Sequence, residues 1–139
     1  MSGADAGAVE VGPGRKLAWT AIGDGPPLLL LNGYAGTRLD WDPIFLGALA
    51  AERRVICPDN IGVGDSPLPA GEAVGGVEGM TTDAIGLLDG LGIERTAVVG
   101  WSMGGMIAQS LVRSAPERVT ALGLIDTHTG GPDCVDAAP

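Results

Sequence analysis

Aromatic residues are scarce in this chain of 139 residues: three Trp, one Tyr and one Phe make up 4% of it. A core must therefore be built from Ala, Val, Leu and Ile, with 24 glycines as punctuation. Histidine occurs once and cysteine twice. Cys57 and Cys134 lack the spacing of a metal-binding pair, and the sequence implies no metal and no cofactor. Cys57 falls in an apolar run and reads as a small buried residue. Positive charge is also short. Eight Lys and Arg stand against 17 Asp and Glu, a net charge of −9 with no basic run. Such a chain makes a poor partner for nucleic acid or an anionic membrane surface. The longest strongly apolar run, Leu28 to Leu31, is far too short to span a bilayer. Met1 to Gly14 has neither a basic region nor an apolar stretch of the kind that leads secretion. A reducing cytoplasm fits these absences best, with a small molecule as partner.

What is present alternates. Residues 1–14 are small and Gly-rich and are expected to form a flexible N-terminal segment. Arg15 to Ile22 reads as a strand ended by Gly23-Asp24-Gly25-Pro26. Pro27 to Leu31 is continuously apolar, as a strand buried on both faces would be. Asp42-Pro43 has the form of a helix N-cap followed by Pro at the first helical position. Ile44, Phe45, Ala48 and Leu49 extend that helix to about Arg53. Arg54 to Cys57 is a short strand, and residues 62–76 form a loop. Val77, Met80, Thr81, Ala84, Leu87, Leu88 and Leu91 share one helical face. Gly79, Gly86 and Gly90 each weaken that helix by roughly 1 kcal/mol relative to Ala. Ala97 to Gly100 is a strand, a helix runs to Ser114, and Val119 to Ile125 is the last strand. From residue 27 onward the order β-α-β-α-β-α-β argues for an α/β fold with a doubly wound, mostly parallel sheet. The domain spans residues 15–126, with 127–139 as a loop or tail.

The densest chemical signal is Gly100-Trp101-Ser102-Met103-Gly104, lying between a strand and a helix. In that context G-x-S-x-G marks a nucleophile elbow, a turn so tight that only glycine-sized neighbours fit beside the Ser. The turn lifts a hydroxyl above the sheet and aims helix N–H groups at the reacting carbonyl. The plainer alternative for Ser102 is a solvated helix N-cap. Loops beyond the carboxyl ends of the other parallel strands hold Asn32-Gly33-Tyr34, Asp59 to Ser66 and Asp126-Thr127-His128. Those loops are where open α/β sheets place working groups.

Taken together, Leu30 to Gly36, the Asp-x-x-Gly-x-Gly-x-Ser run at 59–66 and Gly100 to Gln109 resemble the α/β-hydrolase family over roughly residues 27–126. The likeness is to small esterases and lactonases, with some resemblance to cofactor-free perhydrolases. It implies a serine hydrolase acting on an ester, lactone or related acyl substrate. Ser102 would be the nucleophile, and the backbone N–H groups of Tyr34 and Met103 would form an oxyanion hole. Gly33, Tyr34 and Trp101 would border the substrate. Asn32 stands where the family usually has His, and Ile61 where it often has Arg. Asp59 is read as shaping a turn near the pocket.

A serine needs a base, and the family order is Ser, then acid, then His. Only 37 residues follow Ser102. His128 reads either as a substitute base, oriented by Asp133 or Asp136, or as an exposed loop residue at the rim. Asp126 reads as a rim residue or as the acid. The expectation is an incomplete α/β-hydrolase fold without its cap and last strands, the N-terminal half of a longer hydrolase. Such a half would be weak or inactive as it stands and open to self-association through an uncovered sheet edge. A descendant of the fold that binds ligand without turnover is one alternative, and a cofactor-free perhydrolase that uses the same triad with peroxide is the other.

Overall fold

The computed structural model describes residues 4–132 and residue 134. Among them six strands form one mixed sheet: β1 (Asp5–Gly12), β2 (Arg15–Ile22), β3 (Pro27–Leu31), β4 (Arg54–Pro58), β5 (Thr96–Trp101) and β6 (Val119–Ile125). Their spatial order is β1-β2-β4-β3-β5-β6. The first two strands run antiparallel, and β4, β3, β5 and β6 are mutually parallel. Among the described residues three α-helices cover the sheet: α1 (Pro43–Ala50), α2 (Gly76–Gly90) and α3 (Met103–Ser114).

Period-two alternation in the buried strands splits the core between the two faces. Leu29, Leu31, Ile56 and Val98 face α2 and α3, meeting Leu87, Leu88, Ile107 and Leu111. Leu28, Leu30, Val55, Cys57 and Ala97 face α1, where Phe45, Leu46 and Leu49 cover them. Each fully buried Leu or Ile is worth roughly 1.5–3 kcal/mol, so α2 and α3 are held by the sheet more than by their own propensity. Burial pushes the Cys57 thiol up to about 12, which keeps it a neutral core residue.

The α1 start follows its local signal. Asp42 accepts hydrogen bonds from the Ile44 and Phe45 amides at 2.9 Å each, with Pro43 in the first turn. The helix stops at Ala50, short of Arg53. Ile44 does not join its apolar face and is 83% exposed; Phe45, Leu46 and Leu49 carry the contact instead.

The N-terminal segment requires a correction. Residues 5–12 are a strand, not a flexible arm, and pair with β2 from Asp5↔Ala21 to Gly12↔Arg15. Pro13-Gly14 makes the hairpin turn, with Gly14 at φ +68°. The stretch looked structureless because its side chains are mostly small. Small side chains are what its place demands. Gly7 lies over Trp19, where a Cβ would come within 3.2 Å of the indole. The α2 glycines complete the explanation. A Cβ at Gly86 would sit 2.9 Å from the Val11 Cβ, and one at Gly90 would collide with Val9. The helix gives up propensity at these positions so that β1 can pack against it.

At the opposite edge, β6 pairs only with β5 among the described residues. Leu122, Leu124 and Ile125 lie exposed along it.

Candidate active site

Ser102 sits at the β5–α3 junction with φ +54° and ψ −121°. A non-glycine residue held in that region costs on the order of 1–3 kcal/mol and persists only where its surroundings over-determine it. Here they do. The Ser102 amide donates to the Ile125 carbonyl at 3.0 Å, and its own carbonyl accepts from the Gly105 amide at 2.9 Å. Thr127 Oγ1 donates to that same carbonyl at 2.6 Å. Ser102 stands at the N-cap position of α3, but its side chain makes no capping hydrogen bond. Its glycine neighbours are obligatory. A Cβ at Gly100 would strike the Gly104 carbonyl, and one at Gly104 would strike the Leu31 carbonyl.

The β3 loop comes up beside the elbow. A Cβ on Gly33 would lie 3.3 Å from the Ser102 Cβ, so the two backbones nearly touch. Asn32 is buried and organises this loop. Its Oδ1 accepts from the Gly33 amide at 2.8 Å, and its Nδ2 donates to the Thr37 carbonyl at 2.8 Å. That arrangement engages the Gly33 N–H. The next amide, Tyr34, has no acceptor among the described residues. Met103 is the first residue of α3, and its amide likewise has no intrahelical acceptor. Two backbone donors thus stand unengaged among the described residues, one next to Ser102 in the chain and one following Gly33, which approaches it.

Asp59 is fully buried and ties the loops together. It accepts from the Arg38 amide at 2.6 Å and the Asp65 amide at 2.9 Å, and it pairs with the Arg38 guanidinium. Arg38 also donates to Asp65 at 2.6 Å. That bond, opposed by burial and helped by the charge of Asp59, raises the guanidinium above its ordinary range. The turn-shaping role expected of Asp59 therefore includes a cation. Arg38 supplies it, while Ile61 is buried in the apolar core. Sequence reading missed Arg38. The available signal was Asp59 itself, since a buried carboxylate needs a charged or hydrogen-bonding partner. Thr127 was missed too, and a lone threonine after a strand carries no distinguishing mark.

A cavity of about 510 Å³ opens beside the two donors. Tyr34 and Met103 line it, with Asn60, Ile61, Leu68 and Met80. Trp101 is not among its lining residues. Alternation along β5 sends Trp101 to the α1 face together with Ala97 and Val99. There its ring meets Trp41 edge-on at 6.3 Å. Its remaining link to the site is a ring carbon 3.7 Å from the Gly33 Cβ position.

His128 is exposed and turned to its own loop. Its Nδ1 accepts from the Gly130 amide at 2.9 Å, and its carbonyl accepts from Gln109 Nε2. Among the described residues no hydrogen bond joins the imidazole to Ser102. The residues thought to orient it, Asp133 and Asp136, lie outside the described residues. Asp126 follows β6 at φ +49° and is exposed, with no side-chain hydrogen bond among the described residues. Among the described residues it is not joined to a histidine.

The chain belongs to the alpha/beta hydrolase fold family, whose model matches residues 26–138. It is 40% identical over 119 residues to the dihydrolipoyllysine-residue acetyltransferase component of the acetoin cleaving system of Pseudomonas putida. That match covers 84% of this chain and 31% of the relative. It is 33% identical to epoxide hydrolase 2 of Siraitia grosvenorii over 83% of this chain and 36% of the relative. Among solved structures, a bacterial membrane phospholipase A superposes with a TM-score of 0.85 at 28% identity, over 96% of this chain and 43% of that one. The chain therefore spans about a third of the length of these curated relatives. Related α/β-hydrolase enzymes support hydrolase activity at the level of the family. No helix among the described residues is long and apolar enough to cross a membrane.

Proposed function

We propose that this chain carries the nucleophile and oxyanion-binding half of a serine hydrolase acting on an ester, lactone or related acyl substrate. The observation that carries the reading is the strained Ser102, exposed at the elbow between the unengaged amides of Tyr34 and Met103. Ser102 Oγ bonds to the carbonyl carbon, the carbonyl oxygen takes the developing charge, and the two amides receive it. Collapse breaks the carbon–oxygen bond to the leaving alcohol, which departs with the serine's proton. Water then attacks the acyl-serine, releases the acid and returns a proton to Ser102. One oxyanion donor is typically worth about 3–4 kcal/mol in such a reaction.

The nucleophile type favours acyl chemistry over epoxide opening. A serine oxygen attacking an epoxide forms an ether, which water does not readily cleave; attack on an acyl group forms an ester, which it does. The base and acid are proposed to belong to the length that the relatives have beyond the matched third. Loss of the base alone is worth on the order of 10⁶ in kcat.

The test is covalent labelling of the folded chain with a fluorophosphonate, with and without added imidazole as an external base. The expected result is a Ser102 adduct by mass spectrometry, faster with imidazole and absent in Ser102→Ala. A folded protein with no Ser102-dependent adduct, even when the length that the relatives have beyond the matched third is restored, overturns the reading and favours ligand binding without turnover.

A further inference from the structure

The cavity beside Tyr34 and Met103 has a chemical character that narrows the substrate. None of the residues lining it is charged, and Ile61, Leu68, Val74, Met80 and Met103 make its wall apolar. Arg15, at the start of β2 and bonded to the Val74 carbonyl, and Arg38, in the loop after β3, are both committed to carboxylates. Arg15 forms a two-point pair with Asp83 at 2.7 and 2.9 Å and also reaches Glu72. Arg38 is held by Asp59 and Asp65. The polar side chain deep in the lining, Asn60, spends its Nδ2 on the Asn32 carbonyl at 3.4 Å. The chain as a whole carries −9. An anion entering this cavity would meet no unpaired cation in its wall and an unfavourable field outside.

We infer that this cavity seats an uncharged apolar chain attached to the reacting carbonyl, and discriminates against a chain that ends in a carboxylate. The inference rests on Ser102 being the acyl nucleophile, since Tyr34 and Met103, whose amides would receive the carbonyl oxygen, both line this cavity. Its size, about 510 Å³, lies within the usual range for small-molecule sites. Each methylene removed from water is worth about 0.8 kcal/mol, or about fourfold in affinity. An uncompensated carboxylate in the same wall costs far more.

Methionine provides the readout. Met80 and Met103 line the cavity, whereas Met106 does not. The folded 139-residue chain carrying ¹³C-methyl Met is titrated by NMR with methyl hexanoate and, separately, with monomethyl adipate, which has a carboxylate at the far end of a chain of the same carbon count. Methyl hexanoate is expected to shift the Met80 and Met103 methyl signals saturably, and monomethyl adipate to need about tenfold more ligand or over. Leu68→Lys places an ammonium in the wall and is expected to reverse the preference. Equal binding of the two esters overturns the inference, as does a response confined to Met106 or no response at all. Repeating the titration in Ser102→Ala separates the two claims. Retained binding there, with phosphonate labelling absent even when the length that the relatives have beyond the matched third is restored, sinks the nucleophile and leaves the cavity assignment standing.

Discussion

Glycines crowd both the elbow and the contact between α2 and β1, yet they do different work in the two places. At the elbow, Gly100 and Gly104 let one backbone pass against another: a Cβ on either would strike a carbonyl oxygen that has nowhere to go. At α2, Gly86 and Gly90 admit the side chains of Val11 and Val9, from a strand most distant in sequence from the helix's other partners. The elbow is a local device, complete within a few residues and recognisable as a motif. The α2 contact is a bargain between two segments some seventy residues apart, and in the helix alone it looks like damage. Glycine at a backbone crossing is therefore readable, and glycine at a side-chain contact is not, until the partner is known.

The sharpest way to break that contrast is Gly104→Val. It drives a branched side chain into the Leu31 carbonyl and is expected to cost more than about 5 kcal/mol, enough to abolish the cooperative urea transition. A folded variant would mean that the elbow backbone is not as tightly crossed as described. Next in size is Asp59→Asn. It strips the charge that Arg38 faces in the buried loop junction and is expected to cost about 3–5 kcal/mol in denaturant midpoint. A change below 1 kcal/mol would show that the junction needs only the hydrogen bonds and not the ion pair.

Gly90→Val tests the other region. Overfilling the space held by Val9 is expected to cost about 1–3 kcal/mol. Hydrogen exchange should speed up along β1 while β3 and β5 stay protected. Uniform loss of protection would show that β1 is inseparable from the parallel core. The smallest effect has the opposite sign. Gly47 lies inside α1 with nothing within 4 Å of its Cβ position. Gly47→Ala is expected to stabilise by about 0.5–1 kcal/mol, read as a raised thermal midpoint. Destabilisation there would mean that even this glycine serves a contact.

The legible features share a short range. Asp42-Pro43 announces its cap because donor and acceptor lie two and three residues apart. Ser102 announces its bend because glycine is required immediately around it. Pro13-Gly14 offered a signal of the same kind, and it went unread because the flanking residues lack a clear apolar pattern. Arg38 and Thr127 are different. The first meets Asp59 across 21 residues of chain and the second meets Ser102 across 25, and neither spacing leaves a trace in the sequence. The His128 side chain, by contrast, turns to its own loop, where its Nδ1 accepts from the Gly130 amide two residues on.

By itself the amino-acid order determined the alternation of strand and helix, the strand–turn–helix around Ser102 and the apolar composition of the core. Each of these follows from periodicity or from steric limits between near neighbours. Only the folded arrangement decided which amides stand unengaged beside Ser102, which arginine answers Asp59, and that the first dozen residues complete a sheet. Those outcomes depend on distances between segments remote in the chain, and such distances come into being only when the sheet closes its neighbours together.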